Sequence, residues 1–287
     1  MASAFARISF LLLMLGSART NVAEAQLSAP NAAGVSMGHL HFVVRDVAAT
    51  KSFWQKVGGE PVALGAIEGV KFPDVVVLLR QGDPAGTSEG AVVNHVAFRV
   101  KSLASLERQG FEVHYNAEYP GVASVFTPDG ERVELFDDEL ATNLWFEIDG
   151  GGSDVNAARH NRNIDVPIIA HHIHFNVPAD QVAVAKDWYA ANFGGVRGKR
   201  WRYEAVDLPG INLNFSAAVE PLAPTKGRML DHIGFEVVNL ESFCRRLEAA
   251  GVKFDRPYSK LPSGLGLAFI EDPWGTTIEL TEGLRDL

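Results

Sequence analysis

Seven of the nine histidines in this 287-residue chain lie in four short segments rich in β-branched and aromatic residues, which are typical of strands. Imidazole nitrogens bind divalent metals and accept protons, so histidines gathered in strands indicate a chemical centre. Two glutamates, Glu134 and Glu279, each lie between apolar neighbours in later strand-like segments. Burying a lone carboxylate costs several kcal/mol unless it is paired or bound to a metal. The pattern therefore favours a metal site.

The strand period places several of these histidines on common faces, because side chains two residues apart point the same way. His39 and His41 share one face, and His172 and His174 share another. Two other strand histidines have small same-face neighbours, namely Ala97 beside His95 and Gly234 beside His232. Two histidines and one carboxylate leave several coordination positions free. This suits Fe²⁺, with Mn²⁺, Zn²⁺ or Ni²⁺ as alternatives.

The sequence is a duplication, which strengthens the metal hypothesis. Three segments recur in order: His39-Leu-His-Phe-Val-Val as His172-Ile-His-Phe-Asn-Val, Asn94-His95-Val-Ala-Phe-Arg-Val as Asp231-His232-Ile-Gly-Phe-Glu-Val, and Pro128-Asp-Gly-Glu-Arg-Val-Glu134-Leu as Pro273-Trp-Gly-Thr-Thr-Ile-Glu279-Leu. A strand histidine or glutamate taken alone is usually structural. The recurrence of the whole set in both halves favours ligands over isolated core residues.

Each half divides again, so the chain contains four modules of one plan. The segments that start near residues 38, 94, 171 and 231 each open with a strand, and a helix follows that runs into glycine. About three further strands complete each module. We therefore predict an α+β fold in which four βαβββ modules pair into two domains. These domains are expected over residues 36–140 and 168–285, with the glycine-rich segment 141–167 as a linker.

The N-terminal segment has the order of a secretory signal peptide. Arg7 precedes the apolar run Ile8–Leu15, which is too short to span a bilayer, and Ala23-Glu24-Ala25 offers a cleavage site. We predict that residues 1–25 are removed, with cleavage after Ala25 or alternatively after Ala18. The protein is then secreted or periplasmic and has no membrane span.

Composition narrows the choice of partners. The chain has 26 basic and 35 acidic residues, a net charge of -9, and no basic cluster, which argues against nucleic acid as a partner. Its single cysteine, Cys244, excludes an internal disulfide. The helical spacing of Cys244 with Leu240, Phe243 and Leu247 predicts a buried thiol.

The four modules, the histidines of their opening strands and the Pro-x-Gly…Glu-Leu endings resemble the vicinal-oxygen-chelate superfamily, which includes glyoxalase I, extradiol dioxygenases, epimerases and bleomycin-binding proteins. The resemblance covers residues 36–140 and 168–285. It implies that two modules form one cupped sheet, with a metal ligand from each opening strand and a glutamate from the last strand. Carried onto consecutive modules, it implies two sites: His39, His95 and Glu134 in the first half, and His172, His232 and Glu279 in the second.

The resemblance also implies a small-molecule substrate whose vicinal oxygens bind the metal, with dioxygenase-, lyase- or isomerase-type chemistry. His41 and His174 lie one step from the ligands on the same strand faces, so they are candidate catalytic bases. Other possibilities are a non-catalytic binding protein of the bleomycin-resistance type, or a chain in which only one half is catalytic. The complete ligand set in both halves argues against the binding protein.

Two departures from the family patterns bear on the reaction type. Glyoxalase I takes a fourth ligand, Glu or Gln, from the last strand of the odd module, whereas Val75–Leu79 offers none and the second half offers only Asn212 or Asn214. Extradiol dioxygenases place a Tyr three residues before the Asp-Pro pair, where this chain has Phe269. A glyoxalase I-like lyase therefore remains an alternative rather than the first choice.

We further predict that the second half holds the main active site, because it offers more polar groups near its histidines. These are His174, Asn176, Tyr203, Glu236 and Tyr258. The loop Tyr258–Gly266 is longer than its first-half counterpart, so it is a candidate lid.

Overall fold

The computed structural model describes residues 26–219 and 221–286 of the chain. The predicted signal peptide, residues 1–25, lies outside these residues. The first module consists of β1 (Val35–Val44), α1 (Val47–Val57), β2 (Glu60–Leu64), β3 (Ile67–Phe72) and β4 (Val75–Gln81). The second consists of β5 (Val93–Val100), α2 (Leu103–Arg108), β6 (His114–Tyr115), β7 (Val122–Phe126) and β8 (Arg132–Asp137).

A short strand, β9 (Phe146–Ile148), and a 3₁₀ helix (Ala157–Asn161) follow before the second half begins. The third module consists of β10 (Ile168–Val177), α3 (Val182–Phe193), β11 (Val196–Arg200), β12 (Tyr203–Leu208) and β13 (Ile211–Ala217). The fourth consists of β14 (Leu230–Val237), α4 (Leu240–Ala249), β15 (Phe254–Lys260), β16 (Gly266–Glu271) and β17 (Thr277–Glu282). The predicted α+β fold of four βαβββ modules is confirmed.

The modules pair across the two halves, not within each half. One sheet has the strand order β15-β16-β17-β14-β1-β4-β3-β2, so the first module joins the fourth. The other has the order β6-β7-β8-β5-β10-β13-β12-β11-β9, so the second module joins the third. Antiparallel ladders between opening strands make both joints, β1 with β14 and β5 with β10.

The expected pairing of consecutive modules is therefore wrong. Residues 36–140 and 168–285 do enclose two modules each, but neither range forms a sheet of its own. All four opening strands carry the same apolar pattern, and register depends on the partner that buries the apolar face. The local sequence thus describes each strand but does not choose its partner.

The segment predicted as a linker is packed against the second sheet. Strand β9 pairs with β11 and extends that sheet at its edge. The side chains of Leu144, Phe146 and Ala157 are buried. The segment connects modules two and three as predicted, but it also covers part of the sheet that those modules build.

One apolar core joins the two sheets through their helices. Trp54 of α1 is fully buried and packs against Phe72 of its own module, at 5.8 Å between ring centroids, and against Phe98 of the second module, at 5.5 Å. Asp46 caps the N-terminus of helix α1, and its carboxylate accepts a hydrogen bond from the Ala49 amide. Gly58, with φ of 126°, caps the C-terminus. Cys244 is buried, as predicted.

Cutting the chain between its halves tests the crossed pairing. A protease site inserted after Gly151, in the exposed glycine triplet, leaves every ladder between modules intact. We expect the nicked halves to co-elute at the mass of the intact chain and to separate only in denaturant. Two folded fragments that elute separately would contradict the pairing, since separation exposes four unpaired opening strands.

Candidate metal centre

The first histidine cluster crosses three neighbouring strands of the first sheet. His39 on β1 lies opposite Gly234 on β14, and Gly234 lies opposite Glu279 on β17. A Cβ atom at position 234 would lie 2.0 Å from the His39 ring, so the glycine provides the space that the imidazole fills. His232, two residues before Gly234 on β14, points to the same face. Strand pairing alone therefore brings two histidines and a glutamate together.

Three ligand atoms of this first cluster converge on one another. The Nε2 atoms of His39 and His232 lie 3.0 Å and 2.9 Å from Oε2 of Glu279. Two ligand atoms that each lie about 2.0–2.2 Å from a metal, at right angles around it, are roughly 3 Å apart. All three residues are buried. The donor set thus fits a divalent cation in both chemistry and spacing.

The electrostatics of the first cluster favour a cation between the donors. Burial tends to lower the pKa of His232, but its hydrogen bonds with Asp231 and Glu279 outweigh burial and raise it. Burial tends to raise the pKa of Glu279, yet the hydrogen bonds with His232 and His39 hold it far below its ordinary value. His232 donates its Nδ1 proton to Asp231 Oδ1 over 2.7 Å, which leaves Nε2 to face the site.

His41 lies beside the three converging donors. Its ring centroid is 4.5 Å from that of His232, and the ligand atoms of all four residues lie within 4.8 Å of one another. Both ring nitrogens of His41 are buried without a hydrogen-bond partner among the described residues. Burial and the neighbouring His232 and His39 lower the pKa of His41 to about 3, so the imidazole is neutral. It is free to bind a ligand or to accept a hydrogen bond.

A cavity of about 350 Å³ opens above the first cluster. His39, His41, His232 and Glu279 line its inner end. Apolar side chains form most of the remaining wall: Leu64, Ile67, Leu78, Leu261, Leu265, Leu267, Phe269 and Leu284. The loop predicted as a lid, Tyr258–Gly266, contributes Leu261, Ser263 and Leu265 to this wall. The site is accessible to a small, mostly apolar molecule.

The second cluster lies at the equivalent place in the second sheet. His172 on β10 lies opposite Ala97 on β5, which in turn lies opposite Glu134 on β8. The Nε2 atoms of His95 and His172 lie 3.2 Å and 3.6 Å from Oε2 of Glu134, so the donors are more widely spaced than in the first cluster. The ligand atoms of His95, His172 and His174 lie within 4.8 Å of one another.

The predicted triads are therefore regrouped. The first-half set of His39, His95 and Glu134 and the second-half set of His172, His232 and Glu279 do not assemble. Each glutamate stays with the histidine of its own module, Glu134 with His95 and Glu279 with His232. The partner histidine comes from the other half, because the opening strands pair across the halves. The main site predicted for the second half is consequently split between the two sheets.

Two arginines surround the glutamate of the second cluster. Arg132 Nη2 lies 2.5 Å from His95 Nδ1, and Arg132 Nη1 lies 3.7 Å from Glu134. Arg132 Nη2 also donates to Asn94 Oδ1, which lies 2.8 Å from the same His95 nitrogen, so the three side chains form one polar group beside Glu134. Arg200 is buried beside the same carboxylate. Burial lowers the pKa of Arg200 to about 10, so it stays protonated at neutral pH.

The concave faces of the two sheets, each with its histidine cluster, are called the first and the second cup. They differ most where a substrate would lie. The first has Leu64 and Ile67 at the ends of the β2–β3 hairpin, whereas the second has Arg200 and Tyr203 at the same register. The ring of Tyr203 lies 4.8 Å from that of His174, and Arg200 lies over the Tyr203 ring at 5.5 Å. His174 Nε2 is bonded to Ser216 Oγ over 2.7 Å. The second cup is therefore filled by its own side chains.

Several residues that shape these sites were not predicted from the sequence. Asp231 directly precedes His232 in the recurring segment, and its position next to a candidate ligand histidine could have indicated its role. Arg200 and Arg256 left no such signal, because they lie outside the recurring segments. Only the folded hairpins bring Arg200 to the second cluster and Arg256 to the cavity of the first.

Comparison with known proteins agrees with this architecture. Residues 171–280 match the sequence profile of the Glyoxalase/Bleomycin resistance protein/Dioxygenase superfamily. Glyoxalase I from Zea mays is 15% identical, with a TM-score of 0.61 over 88% of this chain and 94% of that chain. A "putative dioxygenase" from Bacillus subtilis subsp. subtilis str. 168 is 12% identical, with a TM-score of 0.58 over 90% and 86%.

At these identities, the likeness to the solved structures shows a shared fold and nothing about the reaction. No curated protein sequence matches the chain. The superfamily resemblance expected from the opening-strand histidines and the recurring glutamates is confirmed by the profile over residues 171–280, and the solved structures show the same fold over most of the chain.

The glycine beside His39 offers a sharp test of the first cluster. Gly234→Ala places a methyl group against the His39 ring, so we expect the ring to be displaced and metal affinity to fall about 10–100-fold. Overpacking should also destabilise the fold by roughly 1–3 kcal/mol. Calorimetric titration with Mn²⁺ and thermal unfolding measure the two effects. The matched control is Ala97→Gly at the equivalent place in the second sheet, and unchanged Mn²⁺ affinity in Gly234→Ala would contradict this role for His39.

Proposed function

We propose that this chain, whose residues 171–280 match the profile of the Glyoxalase/Bleomycin resistance protein/Dioxygenase superfamily, is an exported metalloenzyme that acts on a small molecule with vicinal oxygens. His39, His232 and Glu279 hold a divalent metal, and Fe²⁺ is the first choice among the ions considered. The observation that supports this most strongly is the convergence of their three ligand atoms at the inner end of an open cavity.

The residues around the proposed metal have distinct tasks. A bound divalent metal supplies Lewis-acid polarisation of the substrate oxygens. Asp231 fixes the tautomer of His232 by accepting its Nδ1 proton. His41 has no hydrogen-bond partner among the described residues and lies beside the donor set, so it is the proposed acceptor of a proton from a hydroxyl or an acidic carbon of the substrate. The leucine-rich wall excludes water from the reacting groups.

The side chains of strand β4 support the proposed choice of reaction class. In the first sheet, Leu78 on β4 lies opposite His41, and Val76 lies opposite His39. Neither can supply the fourth oxygen ligand that resemblance to glyoxalase I requires. The proposed site therefore keeps more open positions, which favours dioxygenase- or isomerase-type chemistry over a glyoxalase I-like lyase. His41 also distinguishes the cavity from a simple binding pocket, since it places a proton acceptor beside the donor set.

The charges around the second cluster argue against a resident metal, although the ligand atoms of His95, His172 and His174 are close enough to hold one. His95, Arg132 and Arg200 already stabilise the charge of Glu134, and a divalent ion placed there would face both guanidinium charges. His95 and His172 lie farther from the carboxylate than their counterparts do. We therefore propose one metal per chain, bound in the first sheet, and a structural role for the second cluster. His174, predicted as a base, then serves within that structural cluster.

Export is proposed on sequence grounds. The order of Arg7, the apolar run Ile8–Leu15 and Ala23-Glu24-Ala25 matches a cleaved secretory signal. These residues lie outside the described part of the chain. Among the described residues, none of the helices combines the length and the apolar character needed to cross a membrane.

Isosteric changes of the two glutamates test the assignment of the metal. We expect the wild-type chain to hold about one metal equivalent by elemental analysis. Glu279→Gln removes the anionic ligand and should lower Fe²⁺ or Mn²⁺ affinity by more than about a hundredfold. Glu134→Gln, the matched change in the second sheet, should keep the full equivalent. Two equivalents in the wild type, or loss of metal from Glu134→Gln alone, would overturn the assignment.

His41→Ala serves as a further control for this experiment. If His41 is a base and not a ligand, this variant should retain one metal equivalent with little change in affinity. A loss of metal comparable to that of Glu279→Gln would instead make His41 a fourth ligand, and its proposed role as a proton acceptor would be wrong.

Sequencing of the N-terminus tests export. When the full chain is expressed in a secreting bacterial host, we expect the protein outside the cytoplasm to begin at Gln26. An intact Met1 on protein that stays in the cytoplasm would contradict the proposed signal. Replacing Ala23 and Ala25 with bulky residues should block processing and serves as the control.

A further inference from the structure

We infer that the cavity of the first sheet recognises a ligand with an apolar body and an anionic group, and that Arg256 binds this anion. The inference rests on the proposed function, because the metal centre defines the inner end of the ligand. It goes beyond that proposal by naming the chemical class of the molecule and the residue that selects it.

The cavity wall sets the body of the ligand. Seven aliphatic side chains and Phe269 form most of the lining. The polar residues of the lining are the four of the first cluster together with Arg256, Ser263 and Thr281. A ligand that fills this space therefore needs a hydrocarbon body, with polar groups where it meets the first cluster and where it meets Arg256.

Arg256 is a cation without an ionic partner among the described residues. It is exposed on β15, opposite Phe269 of β16, and its guanidinium lies over the Phe269 ring at 6.0 Å. The adjacent carboxylate of Asp255 is 3.7 Å from the ammonium of Lys226. The chain as a whole carries a net charge of -9, so a free guanidinium in an apolar cavity lining is not part of a general basic surface.

Phe269 contacts both His232 and Arg256 and so bounds the distance between the first cluster and the guanidinium. Its ring centroid lies 5.5 Å from the His232 ring and 6.0 Å from the Arg256 guanidinium carbon. Together these distances place the guanidinium carbon at most about 11.5 Å from the His232 ring centroid. This span suits one aromatic ring or a short acyl chain that ends in a carboxylate. A guanidinium pairs with a carboxylate through two parallel hydrogen bonds, which makes the charge a strong selector.

Binding of a matched acid and amide tests the inference. The probes are 3-phenylpropionate and 3-phenylpropionamide, titrated calorimetrically into the mature chain with its metal removed and again after reloading with Mn²⁺. We expect the metal-free protein to bind the acid about tenfold or more tightly than the amide. Arg256→Gln should abolish this preference while leaving the affinity for the amide unchanged, and Arg256→Lys should retain part of it.

Lys260→Gln provides the matched control, since it removes one positive charge from the same strand outside the cavity lining. It should keep the full preference for the acid. Equal binding of acid and amide, failure of both to bind, or a preference that survives Arg256→Gln would overturn the inference. The metal-free arm keeps this result separate from the proposed function, because a chain that bound no metal would still reveal whether Arg256 selects a carboxylate.

Discussion

The antiparallel ladder between β1 and β14 determines the geometry of the first histidine cluster, the proposed metal centre. Its register sets His41 opposite His232 and His39 opposite Gly234, and the parallel ladder of β14 with β17 then brings Glu279 to the same row. A slip of one residue would turn every one of these side chains to the other face of the sheet. The His39 ring is buried only because position 234 has no side chain. A single backbone pairing thus fixes the ligands, their spacing and the cavity in front of them.

The duplication produced two cups that share a backbone fold but differ in the side chains that line them. The hairpin of the first cup turns at Gly65 with φ of 60°, while the matching hairpin of the second turns at Trp201 with φ of 54°. A left-handed conformation costs a residue with a side chain roughly 1–2 kcal/mol. Stacking of the Trp201 ring on Arg202, at 4.2 Å, and against Tyr119, at 4.8 Å, offsets this cost. The second hairpin is therefore held over its cup, whereas the first leaves its cup open.

Each cup holds a carboxylate in the middle of its sheet, buried for Glu279 and half-buried for Glu134. Among the described residues, the side chains that pair with Glu279 are imidazoles, so a proton or a metal must supply the compensating charge. In the second, Arg132 and Arg200 supply it permanently, and burial does not lower the pKa of Arg200 enough to remove its proton at neutral pH. A buried charge without a compensating partner is costly. A glutamate that is already paired with arginines therefore leaves no uncompensated charge for a metal cation to neutralise. This difference is the basis for proposing a metal site in the first cup and a structural cluster in the second.

The sequence by itself determined the strands, the four modules and the candidate ligand residues of this protein. Strand periodicity put His39 and His41 on one face, the recurring segments revealed four modules, and Glu134 and Glu279 stood out as carboxylates in apolar strands. These features are local, because they depend on the spacing of side chains along one strand. Only the tertiary structure decided that His39 joins His232 and not His95, since four similar opening strands can pair in more than one way. The tertiary structure also decided which arginine accompanies each histidine cluster. Arg200 and Arg256 are far in sequence from most of the histidines and approach them only when the hairpins fold over the sheets.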